Sequence, residues 1–380
     1  MIQNDKKALS LYIHIPFCVR KCIYCDFLSE PLCGHDHKRV SEYVDALCSE
    51  LLSYKDIADR YIVETIFIGG GTPSLVDEAY ILQIMQTVRE VFAISGDAEI
   101  TIEANPGTIT RSKLDTYKAC GINRLSIGLQ SANDDELKLL GRIHNFDQFL
   151  AGYDMAREAG FRNINIDIMS GLPGQSLHSY LETIERVLRL SPEHISSYGL
   201  IVEEGTPLYD NRELLDTLPD EETDRRMYKA TGRILEMAGY HRYEISNYAL
   251  PGRECRHNIV YWRLKEYLGF GVGAASYFRG ARFTNTDDMD IYNKKPVRYI
   301  DETVDADRLM EEYMFLGLRV TQGVSAAEFY DYFGRSIYDI YGDVIDRYKG
   351  LGLLKDDSGM VSLTGQGIDV SNVILADFLL

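Results

Sequence analysis

Three cysteines, Cys18, Cys22 and Cys25, stand at C-x3-C-x2-C spacing within YIHIPFCVRKCIYCDF, residues 12–27. Such spacing lets three thiolates converge from one loop, and thiolates are soft ligands that suit iron-sulfur clusters and zinc. A [4Fe-4S] cube takes one protein ligand per iron, so three cysteines leave one iron open to a chelating small molecule. Spacing alone leaves two other readings standing: a zinc site completed from elsewhere, and three unrelated buried thiols. Cys33 is set aside as a fourth ligand because it lies eight positions beyond Cys25 with a proline between them. Cys48 and Cys120 fall in helix-like stretches, where a free cysteine packs as a small apolar residue.

Further polar residues recur at comparable places. The apolar run 65–68 ends in Gly69-Gly70-Gly71-Thr72-Pro73, and glycine lets backbone approach a ligand where any Cβ would collide. Glu103 closes EITIE ahead of Asn105-Pro106-Gly107, so its carboxylate points from a strand end toward a cationic partner. Gln130 and Asp167 occupy equivalent places on later strands, and Arg142 lies just behind the fourth. His14 lies within the first strand and reads as a satisfied core residue, whereas His35 and His37 look solvated.

The elements that must position these groups alternate. Strand patterns at 9–15, 65–68, 99–103, 124–128, 163–168 and 193–200 are separated by helical patterns at 40–54, 81–92, 111–119, 134–140, 146–159 and 176–190. Strands and helices at this pitch predict parallel βα units with right-handed crossovers. Six units rather than eight predict an α/β partial (β/α)6 barrel, open on one side. In parallel sheets ligands sit beyond the carboxyl ends of the strands, where the cysteines, glycines, Glu103, Gln130 and Asp167 all fall.

Beyond the barrel, 219–239 reads as a helix, 240–249 as an added antiparallel segment and 251–262, PGRECRHNIVYW, as a loop. A composition shift near Asp301 opens a mainly helical, winged-helix-like module, with helices at 308–319, 325–333 and 338–348 before a hairpin at 354–363. This predicts a barrel over 1–215, an extension over 216–300 and a C-terminal domain over 301–380 that docks on the barrel or covers its mouth.

Composition bounds the function. The 380 residues are 45% hydrophobic and 26% charged, ordinary for a globular chain. No stretch is continuously apolar for the length of a bilayer crossing and MIQNDKKALS lacks an apolar leader core, so a cytoplasmic location is expected. Seven cysteines, odd in number and partly clustered, suit a cluster in a reducing compartment better than a disulfide framework. A formal charge of −18 weighs against nucleic acid and anionic membranes. From Asp301 onward six Lys or Arg face fifteen Asp or Glu, so the winged-helix-like module is not expected to bind DNA.

With Tyr24 immediately before the last cysteine, the loop resembles that of the radical S-adenosylmethionine (SAM) superfamily. The resemblance implies that SAM chelates the open iron and is reductively cleaved to a 5'-deoxyadenosyl radical. LYIHIPFCVRKCIYCDF, FIGGGTPS, EANPGT, RLSIGLQS, LGRIH and NIDIMSGLPGQ are similar, in order, to the oxygen-independent coproporphyrinogen III oxidase group. That group's motifs imply cluster ligation by Cys18, Cys22 and Cys25, and contact of Tyr12, Gly70 and Glu103 with the SAM on the cluster. The glycine run would grip the SAM amino group. Tyr24, Gly71, Thr72, Gln130, Arg142 and Asp167 match positions around a second SAM, whose presence stays open.

Two departures separate this chain from the oxidase: Phe27 stands where a fourth cysteine would be, and about ten residues precede the first strand. His257-Asn258-Ile259-Val260-Tyr261-Trp262 matches the HNxxYW motif of the heme chaperone family HemW. This resemblance implies heme binding and transfer to an acceptor protein, with cluster and SAM regulating release or dimerisation. It makes His257 a candidate axial ligand, flanked by an aromatic pair, with Cys255 as a second possible anchor. The alternative for His257 is hydrogen bonding within a packed loop. It further implies a reductant such as flavodoxin or ferredoxin and allows a homodimer. Two other functions compete: oxidative decarboxylation of coproporphyrinogen III, and a binding module whose cluster is only structural.

Overall fold

The computed structural model describes residues 6–32, 36–303 and 305–380, so the expectations for Cys33 and His35 lie outside the described residues. Six strands, β1 (Lys7–Ile15), β2 (Tyr61–Gly70), β3 (Ala93–Ala104), β4 (Arg124–Gln130), β5 (Ile164–Ser170) and β6 (His194–Gly199), pair in chain order and in parallel. Helices α1 (His37–Leu52), α2 (Glu78–Val91), α3 (Arg111–Ala119), α4 (Asp134–Leu139), α5 (Phe146–Glu158) and α6 (Leu177–Leu188) make the returns. Period-two alternation decides which side chains they cover. Ile13, Ile68, Ile102, Ile127, Ile166 and Ile195 are fully buried in the main core, each contributing roughly 1.5–3 kcal/mol.

The opposite face of the same strands is polar and hydrogen-bonded, and the strand register lines it up. Ser10 pairs with Thr65, Thr65 with Glu99, Thr101 with Arg124, Ser126 with Asn165 and Asn165 with His194. Asn165 Nδ2 donates to Ser126 Oγ (2.8 Å), and its Oδ1 meets His194 Nδ1 (2.6 Å) and Ser196 Oγ (3.1 Å). This satisfies groups that burial would otherwise penalise.

The sheet stays open as a partial barrel and is extended on both edges to twelve strands. After helix α7 (Glu221–Met237), β8 (Asn247–Ala249) pairs antiparallel with β6 and β7 (His241–Arg242) pairs antiparallel with β8, as the segment 240–249 predicts. Beyond β1 come β9 (Tyr267–Phe270), parallel to it, then β10 (Ala275–Phe278), β11 (Ala281–Asn285) and β12 (Arg298–Thr303). Buried Glu50 of α1 ties this edge down. It accepts from Gly271 N (3.0 Å), Asn285 Nδ2 (2.9 Å), Tyr292 OH (2.6 Å) and Arg298 Nη2 (2.7 Å).

Residues 305–380 form a second core around Met314, Phe329, Ile337, Tyr341, Val361 and Phe378. Their order is helix Ala306–Gly317, strand Val324–Ser325, helices Ala326–Phe333 and Ile337–Gly350, then the hairpin strands Leu354–Asp357 and Met360–Leu363. The three strands make one small sheet, the order of a winged helix. This module docks through Arg282 on Glu312, Arg263 Nη1 on Gly323 O (2.6 Å), Thr321 N on Tyr243 O (2.9 Å) and Arg319 over Trp262. Arg282 pairs with Tyr277, Tyr277 with Tyr267 and Tyr267 with Ser10 early in β1, while Tyr243 hydrogen-bonds His194 at the start of β6, so these contacts gather toward the amino-terminal ends of the barrel strands. The expectation that the module covers the mouth is therefore not met: the sequence shows a domain but not which face it seats on.

Candidate functional site

The cysteine loop leaves β1 and returns through a two-residue parallel pairing of Phe17–Cys18 with Glu30–Pro31. A clamp at the carboxyl ends of the strands holds its middle. Ile23 N donates to Leu140 O (3.2 Å), Leu208 N to Ile23 O (2.8 Å), and Arg20 Nη2 to Gly141 O (2.7 Å). Cys25 N closes a turn on Cys22 O (3.2 Å). All three cysteines are part-exposed, and burial pushes the Cys25 thiol up.

Around the loop stand the residues expected there. Cys18 Sγ lies 3.4 Å from Thr72 Oγ1, and Arg142 Nη1 lies 3.7 Å from Cys22 Sγ while its Nη2 donates to Gly128 O (2.6 Å). The Arg142 charge lies beside the Tyr24 hydroxyl, whose phenol burial nonetheless pushes far up, and the Tyr24 ring packs on Leu140, Met169 and Leu172. Gln130 sits at φ +72°, where the β4–β5 register shifts, turning its side chain back toward Gly128 beside Arg142.

The donor set fits a cubane. Three part-exposed thiols on one loop are the soft donors that such a cube takes, each thiolate on a different iron. Cys48, Cys120 and Cys255 are buried elsewhere. Arg142 Nε is a buried donor without a partner, the kind of orphan a bound ligand satisfies.

Next to the loop the glycines make a cradle. Gly70 has φ +114°, and a Cβ there would lie 2.6 Å from the His14 ring; at Gly71 it would lie 2.8 Å from Phe17 O. Glycine is required at both. Gly70 N donates to Glu103 Oε2 (3.1 Å), so strands β2 and β3 meet at the mouth. His14 Nε2 faces the Leu28 carbonyl (2.8 Å), which only accepts, so Nε2 carries the hydrogen and Nδ1 accepts from Tyr12 OH (2.9 Å). The ring is thus neutral, as burial also favours, and His14 is the satisfied core residue its sequence position suggests.

Glu103 is part-buried at the end of β3. Burial first, then the Asp167 charge, push its carboxyl up to about 8. Asp167, raised by burial, accepts from Asn165 Nδ2 (2.8 Å) and Ser126 Oγ (3.2 Å). Two part-buried carboxyl groups side by side, both raised by burial although the Arg124 charge draws them down, suit a cationic ligand. Tyr12, Gly70, Glu103 and Asp167 therefore form one neighbourhood, and Tyr24, Thr72, Gln130 and Arg142 join it to the cysteines.

His257 stands apart from them. The HNxxYW segment, expected as a loop, is helix α8 (Arg256–Trp262), capped by Glu99, whose oxygens accept from Arg256 N and His257 N (3.1 Å each). His257 is 1% exposed, with Nδ1 2.7 Å from Thr65 Oγ1 and Nε2 2.8 Å from Tyr261 OH. Thr65 donates its own hydrogen to Ser10 Oγ (2.8 Å), so Nδ1 is the donor and Nε2 accepts from Tyr261. Burial lowers this imidazole to about 3, leaving it neutral. Cys255 is also buried, its thiol pointed at Glu99 Oε1 (3.6 Å) and pushed up to about 12. The expectation of a heme ligand at His257 or an anchor at Cys255 is not met in this arrangement, because neither ring nitrogen nor the thiol is free for iron.

Sequence reasoning missed Glu99, Arg124, Ser126, Asn165, His194 and Ser196, which build the polar lumen. The signal was present: Glu99, Thr101 and Glu103 occupy alternate positions of one strand, and so do Arg124 and Ser126.

Residues 12–187 match the Radical SAM superfamily, and residues 304–370 match the HemN C-terminal domain. The chain is 38% identical over 377 residues to heme chaperone HemW of Bacillus subtilis (strain 168), covering 97% of this chain and 99% of that one. It is 36% identical over 379 residues to heme chaperone HemW of Escherichia coli (strain K12), covering 98% of both. Among solved structures, the radical SAM enzyme coproporphyrinogen III oxidase (HemN) from Escherichia coli aligns with TM-score 0.86 at 26% identity, over 98% of this chain and 90% of that one. Similarity running almost end to end, through both cores and the cysteine loop, leaves one conclusion: this chain belongs to the HemW family of the radical SAM superfamily.

Proposed function

We propose that this protein is a heme chaperone that binds heme and a SAM-chelated [4Fe-4S] cluster and passes heme to an acceptor protein. The observation carrying this reading is the almost full-length identity to relatives bearing that name. In it Cys18, Cys22 and Cys25 would hold the cluster, which when bound would supply an open coordination position for SAM and the electron for its reductive cleavage. Tyr12, Gly70 and Glu103 bind that SAM, and Tyr24, Gly71, Thr72, Gln130, Arg142 and Asp167 line the adjoining space. A reductant such as flavodoxin or ferredoxin, a homodimer and a cytoplasmic location belong to the same proposal. Among the described residues no helix is long and apolar enough to cross a membrane. The proposed division is a barrel over 1–215, its extension over 216–300 and a C-terminal domain over 301–380.

The second reading, oxidative decarboxylation of coproporphyrinogen III, draws on the likeness to the oxidase structure. Against it stands Phe27, 69% exposed where that group carries a fourth cysteine. Anaerobically reconstituted protein is expected to shift the Soret band of added hemin and to leave coproporphyrinogen III unchanged. Formation of protoporphyrinogen, or an unshifted Soret band, would reverse the choice.

Glu103 gives a pH dependence. Its folded value near 8 exceeds the ordinary carboxyl value, so the folded state holds an extra proton between those limits and loses stability as pH rises through them. A SAM cation next to Glu103 favours the carboxylate, so binding releases that proton. SAM affinity should climb between about pH 6 and about pH 8, then level off. Titrations followed by the cluster's EPR spectrum test this, and a slope that survives in Glu103→Gln would assign it elsewhere.

A further inference from the structure

Neither His257 nor Cys255 on the HNxxYW segment is free for iron, yet the segment is held at both ends. A seven-residue helix does not persist alone in water, so tertiary contacts must fix it. Glu99 of β3 holds its first amides. At its far end Trp262 lies under the Arg319 guanidinium, 4.6 Å from the ring centroid, and Arg263 reaches Gly323 O and Gln322 Oε1. Between these fixed ends the His257 ring stacks on Phe67 (centroids 5.3 Å, planes 27° apart). Phe67 in turn stacks on Tyr12 (6.4 Å, 26°). Tyr261 stands edge-on to His257 at 5.1 Å and to Tyr267 at 4.7 Å. Phe67 and Tyr12 are paired neighbours on β2 and β1, so the stack runs directly beneath the glycine cradle.

We propose that His257 is a positioning residue for the SAM site: its ring, immobilised by Thr65 and Tyr261, backs Phe67 and so fixes the Tyr12 ring at the mouth. This rests on the reading of Tyr12, Gly70 and Glu103 as the SAM-binding face. Packing is what His257 supplies there, and its two hydrogen bonds exist to hold the ring in plane. The C-terminal module completes the arrangement by pinning the other end of α8. Aromatic contacts of this geometry are each worth enough to shift an affinity by up to about tenfold.

The test uses full-length, anaerobically cluster-loaded protein, with SAM affinity read from the EPR spectrum and hemin affinity from the Soret band. His257→Ala should weaken SAM by about tenfold with unchanged iron content, and His257→Phe, which keeps the ring and loses the hydrogen bonds, should recover to within about threefold. Hemin affinity should stay within about threefold in both. Trp262→Ala, remote from the mouth, should weaken SAM in the same direction but less, and serves if His257→Ala does not fold. The proposal is overturned if wild type binds SAM and His257→Ala binds it equally well. It is also overturned if His257→Ala abolishes the Soret shift and spares SAM, which would make the ring an iron ligand. Wild type that binds no SAM would sink the underlying site reading, and this proposal with it.

Discussion

Cys22→Ala should abolish the visible absorbance of the reconstituted cluster and with it SAM binding, while far-ultraviolet circular dichroism and the melting midpoint stay close to wild type. A cube left with two protein sulfurs loses an anchored iron, and metal affinity at such sites depends on the full ligand set. The fold has little at stake. Among the described residues the Cys22 thiol is held by Arg142 Nη1 at 3.7 Å, and the clamp on the loop runs through the Ile23 backbone and the Arg20 side chain, which the substitution leaves alone. The loss should stay under about 1 kcal/mol. Global unfolding in the circular dichroism would show instead that the loop is part of the folding core.

Gly70→Ala should do the reverse, damaging fold and site together. At φ +114° an L side chain is strained, and the added Cβ meets the His14 ring at 2.6 Å. His14 has nowhere to swing, since it is tethered to Tyr12 OH and Leu28 O. Relief must come from β2 moving away from β1, which breaks the Gly70 N to Glu103 bond and misplaces Tyr12. We expect a loss of about 2–4 kcal/mol, read from the urea midpoint. SAM affinity should fall by more than about a hundredfold. Gly96→Ala is the matched control: nothing lies within 4 Å of its Cβ, so stability should change by less than about 0.5 kcal/mol. Equal urea midpoints for Gly70→Ala and wild type would refute the cradle.

The sequence was legible where its signals are local. The cysteine spacing, the alternation of strand and helix and the glycine run each lie within a few consecutive residues, and the barrel strands follow them. Boundaries went astray where a bulge interrupts the alternation. β2 starts at Tyr61 rather than 65, with a register shift between Val63 and Thr65, and β3 starts at Ala93 rather than 99, its first residues, AISGD, being too exposed to show an apolar alternation. Helix α8 was hidden because its cap, Glu99, lies more than 150 residues away in the chain. The same distance concealed β9, whose partner β1 precedes it by more than 250 residues. Which end of the barrel receives the winged-helix module is likewise set by pairs such as Arg282 with Glu312, which no periodicity announces.

The cysteine loop lies outside the isoleucine core, and its backbone is fastened from the rim by bonds that involve no metal. A molecule stripped of iron by oxygen would keep its scaffold and its three thiols in register. Damage would then be repaired by resupplying iron and sulfide to the standing chain, with no need to synthesise a new one.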